Sequence, residues 1–375
     1  MIGKEKLKSL AASRSDGLFL SAFLSTSRLD DWRQTAPTFL NSEFNRITNE
    51  RGLDKRQERA LRDDLDRVLE VVQYEVTHRT QGLAVFGDGG NGVFERVELP
   101  LRLTNRLVAE ATPYVRPLVH ALSLLEPFLL VRVSRDDSSI YLVDEWRLTR
   151  EDDYTGPYLK STDRETGDVP VKEYYAAARQ ESLIEHHFKE VAGALDKALD
   201  EAEARRVAIC GQHDIVSNFR KALSARAAAR IVAEIPWDAN ASVGQMLVSA
   251  RAALDDARHG EMTRLAERIQ EGLGAQGHGV AGFDATLAAL RRGQVRTLLV
   301  DRGYRPAGWR CVACDYVVLT PAATCPVCGG GLVPVDDAAG EAVRTAVLQN
   351  TFVEVAEGIP ALDSLGGIGG VLRFV

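Results

Sequence analysis

Val295-Arg-Thr-Leu-Leu-Val300 reads as a buried strand, and soon after it come Cys311-Val-Ala-Cys314, ten intervening residues, and Cys325-Pro-Val-Cys328. Two Cys-x-x-Cys knuckles at this separation are the sequence form of a tetrahedral zinc site: each supplies two thiolates on one tight turn, and the stretch between them makes a short hairpin. Gly329, Gly330 and Gly331 suit a backbone that must fold back around a metal and adopt positive φ. A pair of disulfides is the alternative, but the only other cysteine is Cys210, and disulfides belong to oxidising compartments. Four thiolates, Cys311, Cys314, Cys325 and Cys328, close the coordination sphere and leave no position for water. The expected Zn2+ is therefore structural, holding a ribbon over about residues 309–333 rather than doing chemistry.

A chain of 375 residues accommodates two or three domains. Its 45% hydrophobic and 26% charged residues fit a soluble globular protein and exclude a disordered one. No apolar run approaches the roughly 20 residues that span a bilayer, so no membrane role is expected. Met1-Ile-Gly-Lys-Glu-Lys-Leu-Lys has charges but no apolar stretch behind it; a signal peptide is not expected, and the cytoplasm is. A net charge of −7 argues against indiscriminate coating of nucleic acid. The average hides local excess. Arg205, Arg206, Arg220, Lys221, Arg226 and Arg230 stand against Asp214 alone, and Arg291, Arg292, Arg296, Arg302, Arg305 and Arg310 against Asp301 alone. Solvated helix ends and loops are one reading of these clusters; separate RNA contact points on an acidic body are the other.

Outward from the ribbon, alternating strands and helices predict an α/β protein. Gly17-Leu-Phe-Leu-Ser-Ala-Phe-Leu is a buried strand, and Leu61, Leu65, Val68, Leu69 and Val72 recur at helical spacing within about 54–78. Residues 83–86 and 93–99 form a hairpin about Gly87-Asp-Gly-Gly-Asn-Gly92, which lacks the Gly-Lys-Ser/Thr ending of a phosphate loop and leads into a strand. A second hairpin joins 128–133 to 140–143. From Thr149 to about Glu173 the composition is that of a long mobile loop. A helix over about 174–204, the strand Arg206-Val-Ala-Ile-Cys210, a helix for which Asp214 is the expected N-cap, and the strand Ile231-Val-Ala-Glu-Ile235 suggest a βαβ unit. A helix from about Val243 to Gly272 leads to a third region. There Phe283–Leu290 and Glu341–Leu348 are helical, Thr351–Val355 is a strand, and Gly366-Gly-Ile-Gly-Gly370 is a turn into a last strand, 371–375.

That third region resembles domain three of the archaeo-eukaryotic class-one peptide-chain release factors and their relative Pelota. The likeness is carried by Gly282–Val300, by the cysteine insertion after that strand, by Val343-Arg-Thr-Ala-Val-Leu-Gln-Asn-Thr-Phe-Val-Glu-Val355 and by the terminal Gly-Gly-Ile-Gly-Gly-Val-Leu-Arg-Phe. Residues 206–237 are similar in layout to domain two. Thr112-Pro-Tyr-Val-Arg-Pro-Leu118 looks like the bacterial branch of the superfamily, which includes the ribosome hibernation factor Balon. The resemblance implies three α/β domains: 1–146, a central domain over 147–243, and 244–375 as an α/β/α sandwich carrying the zinc ribbon. It also implies the ribosomal A site and its RNA as a partner, with a translational GTPase elongation factor as a further one.

The departures bear on activity. Release factors of this family hydrolyse peptidyl-tRNA with a Gly-Gly-Gln loop ahead of the long helix of domain two. Here the equivalent loop, about Gly156 to Lys172, contains none. The Gly-Gln pairs at 211, 244 and 293 stand elsewhere, and the Asn-Ile-Lys-Ser motif of stop-codon recognition is missing as well. His186 and His187, flanked by Glu185 and Glu190, have no visible nucleophile partner; one of two adjacent histidines on an amphipathic helix is expected to face solvent and the other to pack. Cys210, at a strand end before a helix, reads as a small buried residue. No catalytic residue is assigned. The expectation is a non-catalytic ribosome A-site factor acting in hibernation or stalled-ribosome handling, with Arg205, Arg206, Arg220, Lys221, Arg291, Arg292 and Arg296 on RNA. A peptidyl-tRNA hydrolase with an unorthodox loop, or a zinc-ribbon adaptor for proteins, are the alternatives.

Overall fold

The computed structural model describes residues 3–15, 17–27, 31–77, 80–145, 147–156, 170–202, 204–236, 242–274 and 277–374, with only the backbone over 170–178. The chain forms two compact units, Met1–Leu124 with Glu261–Val375, and Leu125–Gly260. Among the described residues no helix is long and apolar enough to cross a membrane.

The first unit opens with α1 (Lys4–Ala12), β1 (Phe19–Ser25), α2 (Trp32–Arg51), α3 (Lys55–Glu70), β2 (Gly82–Asp88), β3 (Val93–Leu99), β4 (Arg106–Glu110) and α4 (Arg116–Leu124). The strands make an antiparallel sheet in the order β3-β2-β1-β4. Because side chains alternate along a strand, Leu20, Ala22 and Leu24 of β1 pack with Leu40 and Phe44 of α2 and Leu61, Leu65 and Val68 of α3. On the other face Phe23 meets Phe86 and Tyr114 edge-on, at centroid distances of 5.7 and 6.0 Å. Asp54 starts α3 with a capping box: its carboxylate accepts from Gln57 N–H at 2.8 Å, and the Gln57 side chain accepts from Asp54 N–H.

The second unit holds β5 (Phe128–Val133), β6 (Asp137–Asp144), β7 (Arg147–Thr155), α5 (Pro170–Glu201), β8 (Arg206–Gly211), α6 (His213–Ala222), α7 (Ala225–Ala228) and β9 (Ile231–Pro236), and receives the start of α8 (Val243–Glu271). Its sheet runs β7-β6-β5-β8-β9, with β5, β8 and β9 parallel. A sheet with parallel centre strands is covered on both faces. Leu129, Val131, Val207 and Ile209 face α5 and α6, whereas Leu130, Ala208, Cys210 and Ile235 face Met246, Ala250 and Leu254 of α8.

Three sequence expectations change here. The hairpin β5–β6, grouped with the first domain from sequence, pairs with β8. The stretch after Thr149, read as loop, continues as β7 to Thr155 along the edge of β6; its exposed charged residues alternate with half-buried Leu148, Asp152 and Tyr154, the pattern of an edge strand rather than a loop. Helix α6 is N-capped at Gln212, so Asp214 sits in its first turn, where it favours the dipole without capping. The expected mobile loop of 156–172 and the boundary at Trp146 lie largely outside the described residues.

The remainder of the first unit comprises the end of α8, β10 (Gly279–Ala281), α9 (Phe283–Arg291), β11 (Val295–Asp301), β12 (Gly308–Cys311), β13 (Val317–Val318), β14 (Leu332–Val335), α10 (Ala338–Leu348), β15 (Phe352–Ala356), α11 (Pro360–Ser364) and β16 (Ile368–Leu372). A mixed sheet runs β10-β16-β11-β15, and β13-β12-β14 form a small separate one. The last strand starts at Ile368, inside the glycine run rather than after it. Only Gly366 and Gly367 turn, at φ of 74° and 77°. Gly369 and Gly370 lie in the strand, and both are glycine because a Cβ there would come within about 2.9 Å of Val280 O and of the Val295 side chain respectively.

Candidate metal centre and basic surfaces

The small three-stranded sheet brings the four cysteines together. Cys311 ends β12, and the turn Val312–Cys314 returns the chain so that Asp315 N–H donates to Cys311 O at 3.1 Å; the second knuckle repeats this with Gly329 N–H and Cys325 O at 2.9 Å. The residue after each knuckle is left-handed, Asp315 at φ 56° and Gly329 at 72°. Inside each knuckle a backbone N–H points at the first sulfur, Ala313 to Cys311 Sγ and Val327 to Cys325 Sγ, both at 3.4 Å. The four sulfurs lie within 4.8 Å of one another, with Cys311–Cys328 at 3.4 Å and Cys314–Cys325 at 3.6 Å.

These spacings are too long for a disulfide, about 2.05 Å. They match the edges of a tetrahedron around zinc, about 3.8 Å for metal–sulfur bonds of about 2.3 Å. A Cβ at Gly330 would stand 3.1 Å from Cys311 Sγ and 3.3 Å from Cys328 Sγ, so glycine is what lets the chain close over the sulfurs. The residues present fit a structural zinc, which would be held by all four thiolates.

The ribbon is tied to the rest of its unit by buried charges. Asp315, next to Cys314, accepts from Arg310 at 3.0 Å and Arg344 at 3.1 Å and also pairs with Arg14. Burial opposes its ionisation, but Arg344, Arg14 and Arg310 hold its carboxyl below the usual range. Arg344 further binds Glu341 at 3.0 Å and donates to Ala11 O of α1 at 3.1 Å.

Beside it, Thr112-Pro-Tyr-Val-Arg-Pro-Leu118 forms a latch onto α10. Thr112 donates to Glu341 at 3.0 Å, Tyr114 to Asp337 at 2.6 Å, and Arg116 to Asp337 at 2.8 Å, to Tyr304 O at 2.8 Å and to Asp301 O at 2.6 Å. Arg116 and Asp337 are each only 3% exposed. Asp337 also caps α10 through Gly340 N–H at 2.9 Å, and a Cβ at Gly340 would clash with the Tyr114 ring at 2.6 Å. The sequence showed Thr112–Leu118 only as a family likeness. Its role needs the partners on α10, more than 200 residues away, and no local pattern announces them.

The two basic clusters fare differently. In the second unit Arg206 faces Glu126 at 3.6 Å, Arg220 binds Glu234 at 2.6 Å and Arg226 binds Asp200 at 2.6 Å, while Lys221 donates to Asn218 at 2.9 Å. Arg205 is also engaged within the fold. Much of that positive charge is neutralised locally. In the cluster beside the ribbon, Arg310 is buried in the Asp315 network and Arg302 binds Glu357 at 2.7 Å. Arg291, Arg292 and Arg296 are exposed and, among the described residues, in no ion pair. Arg291 stacks over Tyr316 at 5.2 Å and donates to Cys314 O at 3.2 Å, and Arg292 donates to Gln294 at 2.6 Å.

On α5, His186 is exposed and His187 is buried, its Nε2 3.0 Å from Ser138 Oγ. Burial pulls the His187 pKa below its usual value although Glu190, Asp137 and Asp136 pull the other way. Cys210 is buried and burial pushes its thiol up to about 11, which removes it as a nucleophile. A groove of about 550 Å³ between α5 and α6 has Ile184, Phe188 and Ile215 on its floor and Glu181, Glu185, Arg135 and Lys221 around it. It brings no nucleophile to a base.

Residues 113–257 match the family model of bacterial archaeo-eukaryotic release factor family 10. No curated protein matches the chain. Among solved structures, an archaeal translation termination factor, aRF1, is 18% identical over 100% of this chain and 99% of its own, with a TM-score of 0.25. Archaeal Pelota, in a model of ribosome-bound Pelota and ABCE1, is 13% identical over 100% and 94% at 0.41. Dom34 of S. cerevisiae, described as a translation termination-like factor interacting with Hbs1, is 11% identical over 78% and 80% at 0.39.

Proposed function

We propose, on the premise that this chain is a member of the bacterial archaeo-eukaryotic release-factor and Pelota superfamily, that it is a ribosome-binding translation factor that does not hydrolyse peptidyl-tRNA. The match of residues 113–257 to a bacterial release-factor family carries this reading. The sequence contains no Gly-Gly-Gln anywhere, so the group that orients water at the ester in releasing members is missing. Neither His187, whose Nε2 is taken by Ser138, nor the thiol of Cys210 substitutes for it. The finer role is occupation of the A site of idle or stalled ribosomes, with a translational GTPase as the delivering partner. Zinc at Cys311, Cys314, Cys325 and Cys328 keeps the ribbon folded and takes no part in chemistry.

Co-sedimentation with bacterial ribosomes, paired with a peptide-release assay on ribosome–peptidyl-tRNA complexes, tests both halves. Binding that weakens steeply with salt, as phosphate contacts require, and release no faster than the protein-free control are expected. Release above that control would establish the hydrolase instead, and absence from the ribosomal pellet at low salt would leave the protein-binding adaptor.

A further inference from the structure

In the first unit, the loop of residues 101–106, helix α4 and the turn that follows β11 enclose a cavity of about 110 Å³. Its wall carries Arg102, Arg106, Arg116, His120, Arg302 and Arg305, and among the described residues no aspartate or glutamate lines it. Arg116 holds the turn in place, its guanidinium donating to Asp301 O at 2.6 Å and Tyr304 O at 2.8 Å. Arg302 N–H adds a bond to Ala356 O of β15 at 2.7 Å. The turn thereby carries Arg302 and Arg305 up to the loop, where Arg302 donates to Thr104 at 3.4 Å.

The charges of this wall are unequally answered. Asp337 neutralises Arg116, and Glu357 neutralises Arg302. Arg102 donates to Ser27 at 2.7 Å, and Arg106 leans on the Tyr114 ring at 5.8 Å. Among the described residues neither Arg106 nor Arg305 is in an ion pair. Arg305 is half-buried, and its Nε is enclosed without a hydrogen-bond partner. A guanidinium cannot relieve this by shedding its proton, since its pKa stays above about 12. Cations gathered around one cavity repel one another until an anion enters.

We propose that this cavity, independently of any ribosome contact, binds a phosphate group as its dianion, either free phosphate or the terminal phosphate of a small ester.

Size and direction select the ligand. At about 30 Å³ per water, the cavity has room for three or four waters, the space of one tetrahedral oxyanion. A nucleotide-sized ligand needs about 300 Å³ or more, so the rest of an ester would stay outside, beside the exposed Arg102 and Thr104. The cations come from three separate segments of the chain. A planar carboxylate is satisfied by one bidentate arginine, whereas the oxygens of a tetrahedral dianion accept from several directions at once. An RNA backbone phosphate carries a single charge, and its chain must both enter and leave, which a cavity this small does not allow.

The test uses the full zinc-loaded chain in phosphate-free buffer at pH 8 and constant ionic strength, where a phosphate monoester with its second pKa of about 6 is a dianion. Calorimetric titrations with inorganic phosphate, adenosine 5′-monophosphate, the diester adenylyl-adenosine and chloride are compared. One saturable site for inorganic phosphate is expected, with a matching rise in thermal midpoint because the ligand binds the folded chain. Arg305→Gln and Arg106→Gln should each weaken binding by about tenfold to a hundredfold, the worth of a charge-assisted hydrogen bond. Without phosphate, Arg305→Gln should leave the midpoint unchanged or higher, because repulsion is relieved. A lowered midpoint would make Arg305 a structural residue and count against the site, leaving Arg106→Gln to decide on affinity. Adenosine 5′-monophosphate bound through the same arginines would assign the natural ligand to monoesters, and its failure beside bound phosphate would assign it to the free anion. No saturable phosphate site, equal binding of chloride or the diester, or an affinity unmoved in both variants would overturn the proposal.

Discussion

Arg116, Arg310 and Arg344 belong to the same compact unit as Arg291, Arg292, Arg296 and Arg373, yet the two sets are used in opposite ways. The first three are buried, and each guanidinium is met by a carboxylate: Asp337 for Arg116, Asp315 for Arg310, and Asp315 with Glu341 for Arg344. The others stand in water at one sheet end. A buried guanidinium must be paired, because leaving it bare costs several kcal/mol; an exposed one is stable alone and available to a partner. The central cluster lies between these extremes, since Arg220 and Arg226 are exposed but answered by Glu234 and Asp200. Counting basic residues along the chain therefore says little about where positive charge is presented.

The comparison can be broken most directly at the ribbon. Cys314→Ser should abolish stoichiometric zinc, measured by metal analysis, and should raise hydrogen exchange in α1 as well as in the ribbon, because Asp315 and Arg344 tie the two together. Exchange confined to 309–333 would show that the buried charges do not transmit the loss. Next in size is Arg116→Ala. It strands Asp337 in the interior and should cost about 3–5 kcal/mol in urea unfolding, whereas Arg292→Ala should change stability by under about 0.5 kcal/mol.

Binding reverses that ranking. Arg292→Glu with Arg296→Glu should weaken ribosome co-sedimentation several-fold at low salt and reduce its salt slope by about two contacts. Arg220→Gln with Arg226→Gln should shift it less than twofold. Equal effects from the two pairs would mean that neutralised arginines contribute to binding as much as presented ones.

The smallest effects are on pH dependence. Burial, with Glu341 close by, pushes the Glu110 carboxyl up to about 8. The folded state then holds a proton that the unfolded chain has released, so this group's contribution to stability is present at low pH and declines as pH rises from about 4.5 to about 8. Burial acts on His187 with the opposite slope: the unfolded chain protonates first, and stability falls as pH drops below about 6.5. In urea unfolding across pH 5 to 8, Glu110→Gln should remove the alkaline decline and His187→Gln the acidic one. Unchanged profiles would mean that neither group is as desolvated as its position implies.

Much of this molecule was legible in its residues. The knuckles at 311–314 and 325–328 specify the ribbon because spacing alone puts thiolates on tight turns. The amphipathic pattern of 61–72 and the strands at 128–133, 206–210 and 295–300 were readable because burial on one or both faces leaves a period. The packing of His187 beside an exposed His186 follows from the same helical geometry. Two elements were missed for different reasons: in α2 Trp32, Ala36, Leu40, Phe44 and Ile47 do recur at helical spacing, but Pro37 and the polar residues among them mask the period, and β7 is an edge strand whose exposed charges resemble loop.

What only the tertiary structure decided is which charges are consumed and which are displayed. Arg310 and Arg296 sit fourteen positions apart in one basic run, indistinguishable by type. One is buried against Asp315 because β12 turns into the interior beside α10, and the other is exposed at the start of β11. Thr112–Leu118 likewise becomes a latch only when α10, far along the chain, brings Asp337 and Glu341 to it. Pairing between distant residues is set by the packing of whole elements, and a local sequence holds no record of its partner.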